Sequence, residues 1–129
     1  MKLSARYSLT AGVLSMGILA ALSPTSSGAG PDAGAGKDVF DRRCSGCHAA
    51  DSTKEGPPLR GVVGRKAGTV SGFLYSDSLR ASGITWNEGL LMKWLENPDA
   101  MVKGTDMGFR VPKAEEREAV VAYLKSLAR

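Results

Sequence analysis

The sequence predicts an all-α domain of three or four helices joined by long Gly/Pro loops, on three observations. Phe40, Cys44 and Cys47 repeat at i, i+4, i+7, with Val39 beside them. A second apolar run, Leu90, Leu91, Trp94 and Leu95, is closed by Asn97-Pro98. A third stripe, Val120, Leu124 and Leu127, follows Glu115 and Glu116 and lies close to Lys125 and Arg129, a charge order that suits a helix dipole.

The first of these helices is expected from Gly36 to His48, with Asp38 and Asp41 near its amino end. From Ala49 to Tyr75 the pattern fails, because Gly56, Pro57, Pro58, Gly61, Gly64, Gly68 and Gly72 punctuate it. So long a loop in a small domain is usually functional. Ser76 or Asp77 caps a short helix through Leu79 to Ser82, ended by Gly83. Thr85-x-x-Glu88 has capping-box spacing for the Leu90–Leu95 helix, with Asn87 as the alternative cap. The last helix is expected from about Lys113 to Leu127.

The first thirty residues read as an address. Lys2 and Arg6 give a positive n-region, no charge occurs from Tyr7 to Ser23, and small residues around Ser27-x-Ala29 suit signal peptidase. Residues 1–29 are therefore expected to be a signal peptide, 30–35 a flexible leader, and 36–129 the functional domain. An uncleaved membrane anchor is the alternative, although about 17 uncharged residues diluted with Gly, Ser and Thr are short for a span. Loss of Lys2 and Arg6 leaves 15 basic residues against 13 acidic ones. With no basic run and no interleaved aromatics, nucleic-acid binding is not expected.

Chemistry concentrates in Cys44-Ser45-Gly46-Cys47-His48. Two thiols three residues apart fall on one face of a helical turn, where each can add to one vinyl group of a porphyrin. The histidine that follows can reach the iron, and C-x-x-C-H is the pattern of c-type haem attachment. A disulfide closing a two-residue loop would stabilise little. A thioredoxin-like dithiol expects a βαβ surrounding, and no clear alternation of strands and helices occurs.

His48 is the single histidine, which excludes bis-histidine ligation. Methionine is the natural second ligand, because a soft thioether favours the ferrous state. Met92 sits within an apolar helix and suits packing. Met107 follows Gly104-Thr105-Asp106 in a loop and is the first candidate; Met101 is the second.

From Gly36 to Leu127 the chain resembles the class I c-type cytochromes, of the monohaem mitochondrial and bacterial respiratory type. The matching segments are Cys44–His48, Gly56-Pro57-Pro58-Leu59, Gly61-Val62-Val63-Gly64-Arg65-Lys66-Ala67-Gly68 and Gly72-Phe73-Leu74-Tyr75-Ser76. Gly83-Ile84-Thr85-Trp86, Trp94-Leu95-Glu96-Asn97-Pro98, Gly104-Thr105-Asp106-Met107 and Ala122-Tyr123-Leu124 continue the match in order.

The resemblance implies a cytochrome c fold wrapped around one haem c, attached through Cys44 and Cys47 and ligated by His48 and Met107. It implies that His48 donates its other N–H to the Pro57 carbonyl, that Arg65, Tyr75 and Trp86 bind a buried propionate, and that Thr105 touches the haem edge. Gly36 and Phe40 are expected to cross the last helix near Val120 and Tyr123. The implied function is one-electron transfer in the periplasm, not catalysis, by a monomer with transient redox-protein donors and acceptors and no small-molecule substrate. A haem enzyme or gas sensor with a labile methionine ligand is the alternative.

Several residues depart from the family pattern. Trp94 stands where a tyrosine often approaches the methionine sulfur, and Lys103 replaces a proline, which predicts a looser methionine loop. Asp99, Ala100 and Asp106 replace lysines that ring the exposed haem edge in relatives, while Arg43 keeps one basic site. Phe109 matches an aromatic near the haem, followed by Arg110-Val111-Pro112 in place of the usual continuation.

Overall fold

The computed structural model describes residues 32–128; the expected signal peptide lies outside the described residues. Five helices follow one another among the described residues, α1 (Ala33–Arg43), α2 (Asp77–Ala81), α3 (Glu88–Glu96), α4 (Pro98–Met101) and α5 (Ala114–Ser126). Among the described residues the only β pairing is an isolated antiparallel bridge, Lys66 to Thr85. None of these helices is long and apolar enough to cross a membrane.

Helix α1 differs from the expectation at both ends. It starts at Ala33 because the Asp32 carboxylate accepts from the Gly34 N–H at 3.0 Å. Described residues 32–35 are thus a cap and first turn, where the sequence suggested a leader. That earlier start places Asp38 and Asp41 beyond the first turn, and Asp41 instead pairs with Lys37 at 2.6 Å. Arg42 and Arg43 complement the carbonyl end. The helix ends at Arg43, and Cys44–His48 continues as hydrogen-bonded turns, with Cys47 and His48 N–H both reaching the Cys44 carbonyl, at 3.1 and 2.8 Å.

The core is built on the crossing of α1 and α5. A Cβ on Gly36 would lie 2.0 Å from the Ala119 carbonyl oxygen and 2.7 Å from the Tyr123 Cβ, so glycine alone permits this approach. Phe40 packs on Tyr123 with ring centroids 5.3 Å apart. Val120, Val121 and Leu124 bury the inner face of α5. Arg43 and Glu116 close the far end of the crossing at 2.9 Å.

Of the two caps open for α3, Asn87 is used: its side chain accepts from the Leu90 N–H at 2.8 Å. Thr85 lies two residues before that cap, in the bridge with Lys66. Asn97 ends α3 and its side chain caps α4 through the Ala100 N–H at 3.2 Å, with Pro98 at the first helical position. The sequence suggested only the stop; the four residues beyond it form one extra turn. Ser76 caps α2 as expected.

Between Cys44 and Ser76 the chain has no helix, yet it is tied. Leu59 and Arg60 N–H donate to the Ala49 and Ala50 carbonyls at 3.0 and 2.8 Å. Gly64 N–H donates to the Trp86 carbonyl at 2.7 Å, Trp86 N–H to Arg65 at 2.9 Å and Ala67 N–H to Ile84 at 2.8 Å. This short ladder sets Arg65 and Trp86 side by side.

Candidate functional site

The long loop, α3 and the segment after α4 enclose a cavity of about 560 Å³. All nine site residues read from the sequence, Cys44, Cys47, His48, Pro57, Arg65, Tyr75, Trp86, Thr105 and Met107, line it. Leu79, Leu91, Trp94, Leu95, Val120 and Leu124 complete an apolar wall. A space of this size, apolar with few polar groups, suits a large flat organic ligand.

On one side, the Nδ1–H of His48 donates to the Pro57 carbonyl oxygen at 2.9 Å. A carbonyl only accepts, so Nδ1 carries the proton and Nε2 keeps its lone pair. Burial, with a smaller contribution from the Lys54 charge, pulls the His48 pKa below its ordinary value despite the opposing Pro57 bond, which favours this neutral form. Gly56 backs the ring: a Cβ there would lie 2.2 Å from His48 Cε1. Sequence reasoning gave this buried glycine no role; its signal was its place directly before Pro57-Pro58.

Also on the cavity lining, the Trp94 indole N–H donates to the Met107 sulfur at 3.1 Å. A thioether sulfur has two lone pairs, so one remains for a metal. Trp94 is 6% exposed and meets Trp86 edge-on, with ring centroids 5.2 Å apart, which fixes the donor. Of the three candidate methionines only Met107 lines the cavity; Met92 and Met101 pack against the core.

The loop that carries Met107 is better held than Lys103 suggested. Gly104 adopts a φ of 79° and its N–H donates to the Asp99 carboxylate at 3.0 Å. Ser78 Oγ donates to the Gly104 carbonyl at 3.0 Å, and Thr105 N–H to the Val102 carbonyl at 3.2 Å. Asp99 is therefore a strut of this loop as well as a surface charge.

At the polar end, the Arg65 guanidinium donates to the carbonyls of Pro58 at 2.9 Å and Arg60 at 3.2 Å. Burial raises the Tyr75 phenol, partly offset by a backbone hydrogen bond at Val70 and the Arg65 charge, so it stays a neutral donor. Trp86 is buried against the same cavity.

The two thiols, Cys44 half-buried and Cys47 exposed, are unpaired by any disulfide. Burial pushes the Cys44 thiol up to about 11. A dithiol oxidoreductase needs the opposite shift. One imidazole nitrogen and one thioether sulfur, with two thiols alongside, would satisfy an iron whose remaining positions a porphyrin fills. The residues fit haem c.

The comparisons with known proteins decide the family. The Cytochrome c family model matches residues 33–128. Cytochrome c of Tetrahymena pyriformis is 50% identical over 99 residues, 74% of this chain and 89% of the relative. Cytochrome c of Gibberella zeae is 42% identical over 101 residues, 75% of this chain and 95% of the relative. The chain belongs to the cytochrome c family. Cytochrome cH from Methylobacterium extorquens superposes with a TM-score of 0.70 at 39% identity, covering 74% of this chain and 98% of that one. This cytochrome is thus an electron-transfer protein rather than an enzyme, it carries one covalently attached haem c, and it acts with redox partner proteins.

Proposed function

We propose that this cytochrome is a periplasmic one-electron carrier whose haem c is held through Cys44 and Cys47 and ligated by His48 and Met107. The observation that carries the proposal is that two oriented donors line one cavity: His48 held by Pro57, and Met107 held by Trp94. When bound, the haem supplies an iron centre that gains and loses one electron.

The chain's own residues do the rest. Pro57 draws on the Nδ1–H of His48 and makes the ligand more basic. Met107, a soft donor, favours the reduced state. With both donors held from the protein side, a bound haem iron would need little rearrangement of the protein between oxidation states and would have no position for a substrate. Arg65, Tyr75 and Trp86 would supply charge, O–H and N–H to a haem propionate, which needs such donors when removed from water. Thr105 would add a contact with the bound haem, and the apolar wall would exclude water.

Residues 1–29 are read as an export signal, on Lys2, Arg6 and the uncharged run between Tyr7 and Ser23. The folded domain would then work as a monomer in the periplasm, meeting donor and acceptor transiently through small interfaces. The test is the full chain matured in a host with cytochrome-assembly machinery. It should retain haem colour after denaturation, titrate with one electron, and bind no carbon monoxide when reduced at neutral pH. Prompt carbon monoxide binding would overturn the His/Met assignment. The mass of the purified protein should correspond to cleavage after Ala29; retention of residues 1–29 would overturn the signal assignment.

A further inference from the structure

Residues 57–60 carry three carbonyls used by the site and few means of holding themselves in place. Pro57 accepts from His48 at 2.9 Å, and Pro58 and Arg60 accept from Arg65 at 2.9 and 3.2 Å. Two of the four residues are prolines and have no N–H to donate. The backbone anchoring falls on Leu59 and Arg60, whose N–H groups reach Ala49 and Ala50 at 3.0 and 2.8 Å. Asp51 comes next in the chain after that ladder. Its carboxylate takes the Arg60 guanidinium in a fork, Nε to one oxygen at 2.5 Å and Nη2 to the other at 3.0 Å. Such a two-pronged pair fixes direction as well as distance. A separate cavity of about 260 Å³ lies beside it, lined by Asp51, Arg60 and Arg65 among others, so Arg65 borders both this space and the large cavity.

We propose that Asp51 and Arg60 form a positioning pair: by locking the 57–60 segment to the 49–51 segment, they hold both the Pro57 carbonyl on His48 and the carbonyl cradle of Arg65. The pair touches neither the ligand sulfur nor the imidazole, and both side chains are exposed. It acts through the backbone it anchors. This inference rests on His48 being an iron ligand.

A charge on the surface and a clip on the backbone make opposite forecasts. As a mere charge, loss of Asp51 makes the surroundings more positive and loss of Arg60 less positive. The reduction potential of Asp51→Asn and Arg60→Gln would then shift in opposite directions, and the double variant would show their sum. As a clip, either loss frees the same segment, so both shifts have one sign and the double variant goes no further than either single.

The decisive readout is the ring N–H of His48, followed by proton NMR on the haem-loaded protein during exchange into deuterated water. Both single variants should exchange it about threefold to fivefold faster than the parent, the scale of an exposed ion pair. The swapped pair Asp51→Arg/Arg60→Asp should return exchange towards the parent rate. Arg60→Lys, which keeps the charge and loses the fork, should resemble Arg60→Gln. Unchanged exchange in the singles, or additive potential shifts of opposite sign, would overturn the inference. A parent protein with no iron-shifted histidine N–H would instead overturn the ligation on which it stands.

Discussion

The two sides of the cavity hold their donors by different means. On the histidine side the ligand is part of a contiguous stretch: His48 follows the α1 exit turns, and Gly56 and Pro57, eight and nine residues on, close against its ring. On the methionine side the donor hangs from a loop, and its restraints come from Asp99, Ser78 and Trp94, which lie on α4, α2 and α3. A ligand whose restraints come from one stretch of chain responds to change within that stretch. One fixed from three separate helices can be loosened one tie at a time, and the weaker side of the site should be the sulfur side.

The largest effect should come from disturbing the tight side. Gly56→Ala sets a methyl into the His48 ring, and the backbone must shift to accept it, at a cost of about 3 kcal/mol. Thermal unfolding of the haem-loaded protein should show the loss. A melting temperature equal to that of the parent would mean that the histidine side is not close-packed. A smaller effect should follow Trp94→Phe, which keeps the ring and removes the N–H on the sulfur, worth about 1 kcal/mol. The oxidised variant should exchange its sulfur ligand for added imidazole more readily, while the histidine N–H stays protected. Equal loosening on both sides would break the comparison.

Asp99→Ala should have the smallest effect, near 0.5–1 kcal/mol, because it removes one acceptor from the Gly104 N–H. Asp99→Asn keeps an acceptor and should behave as the parent does in imidazole competition. If instead Asn and Ala were equally loosened, the charge of Asp99 rather than its hydrogen bond would be what matters.

How much of this was legible in the sequence follows the same division. Cys44, Cys47 and His48 stand in one five-residue motif whose chemistry dictates its spacing, and Asn97-Pro98 stops α3 because proline excludes the helical conformation before it. The start of α1 was not legible. Gly34 reads as leader by propensity, but the Asp32 cap extends the helix back to Ala33 and, with the close approach of Gly36 to Ala119, outweighs the cost of glycine in a helix. The exit turns after Arg43 were also read as helix, because the apolar period continues through Cys44 and Cys47 while the backbone does not. Asp99 could be placed on the surface from sequence, yet its bond to Gly104 depends on the loop closing over one turn of helix that was not foreseen. A side-chain bond that closes an irregular loop leaves no period to read, even across the five residues from Asp99 to Gly104.

The most direct test of the central claim is the absorption spectrum of the oxidised protein in the region where a sulfur-to-iron charge-transfer band appears. The parent and Met101→Ala should both show the band, and Met107→Ala should lack it. A band that survives in Met107→Ala, or is absent from the parent, would contradict ligation by Met107 and the electron-carrier chemistry built on it.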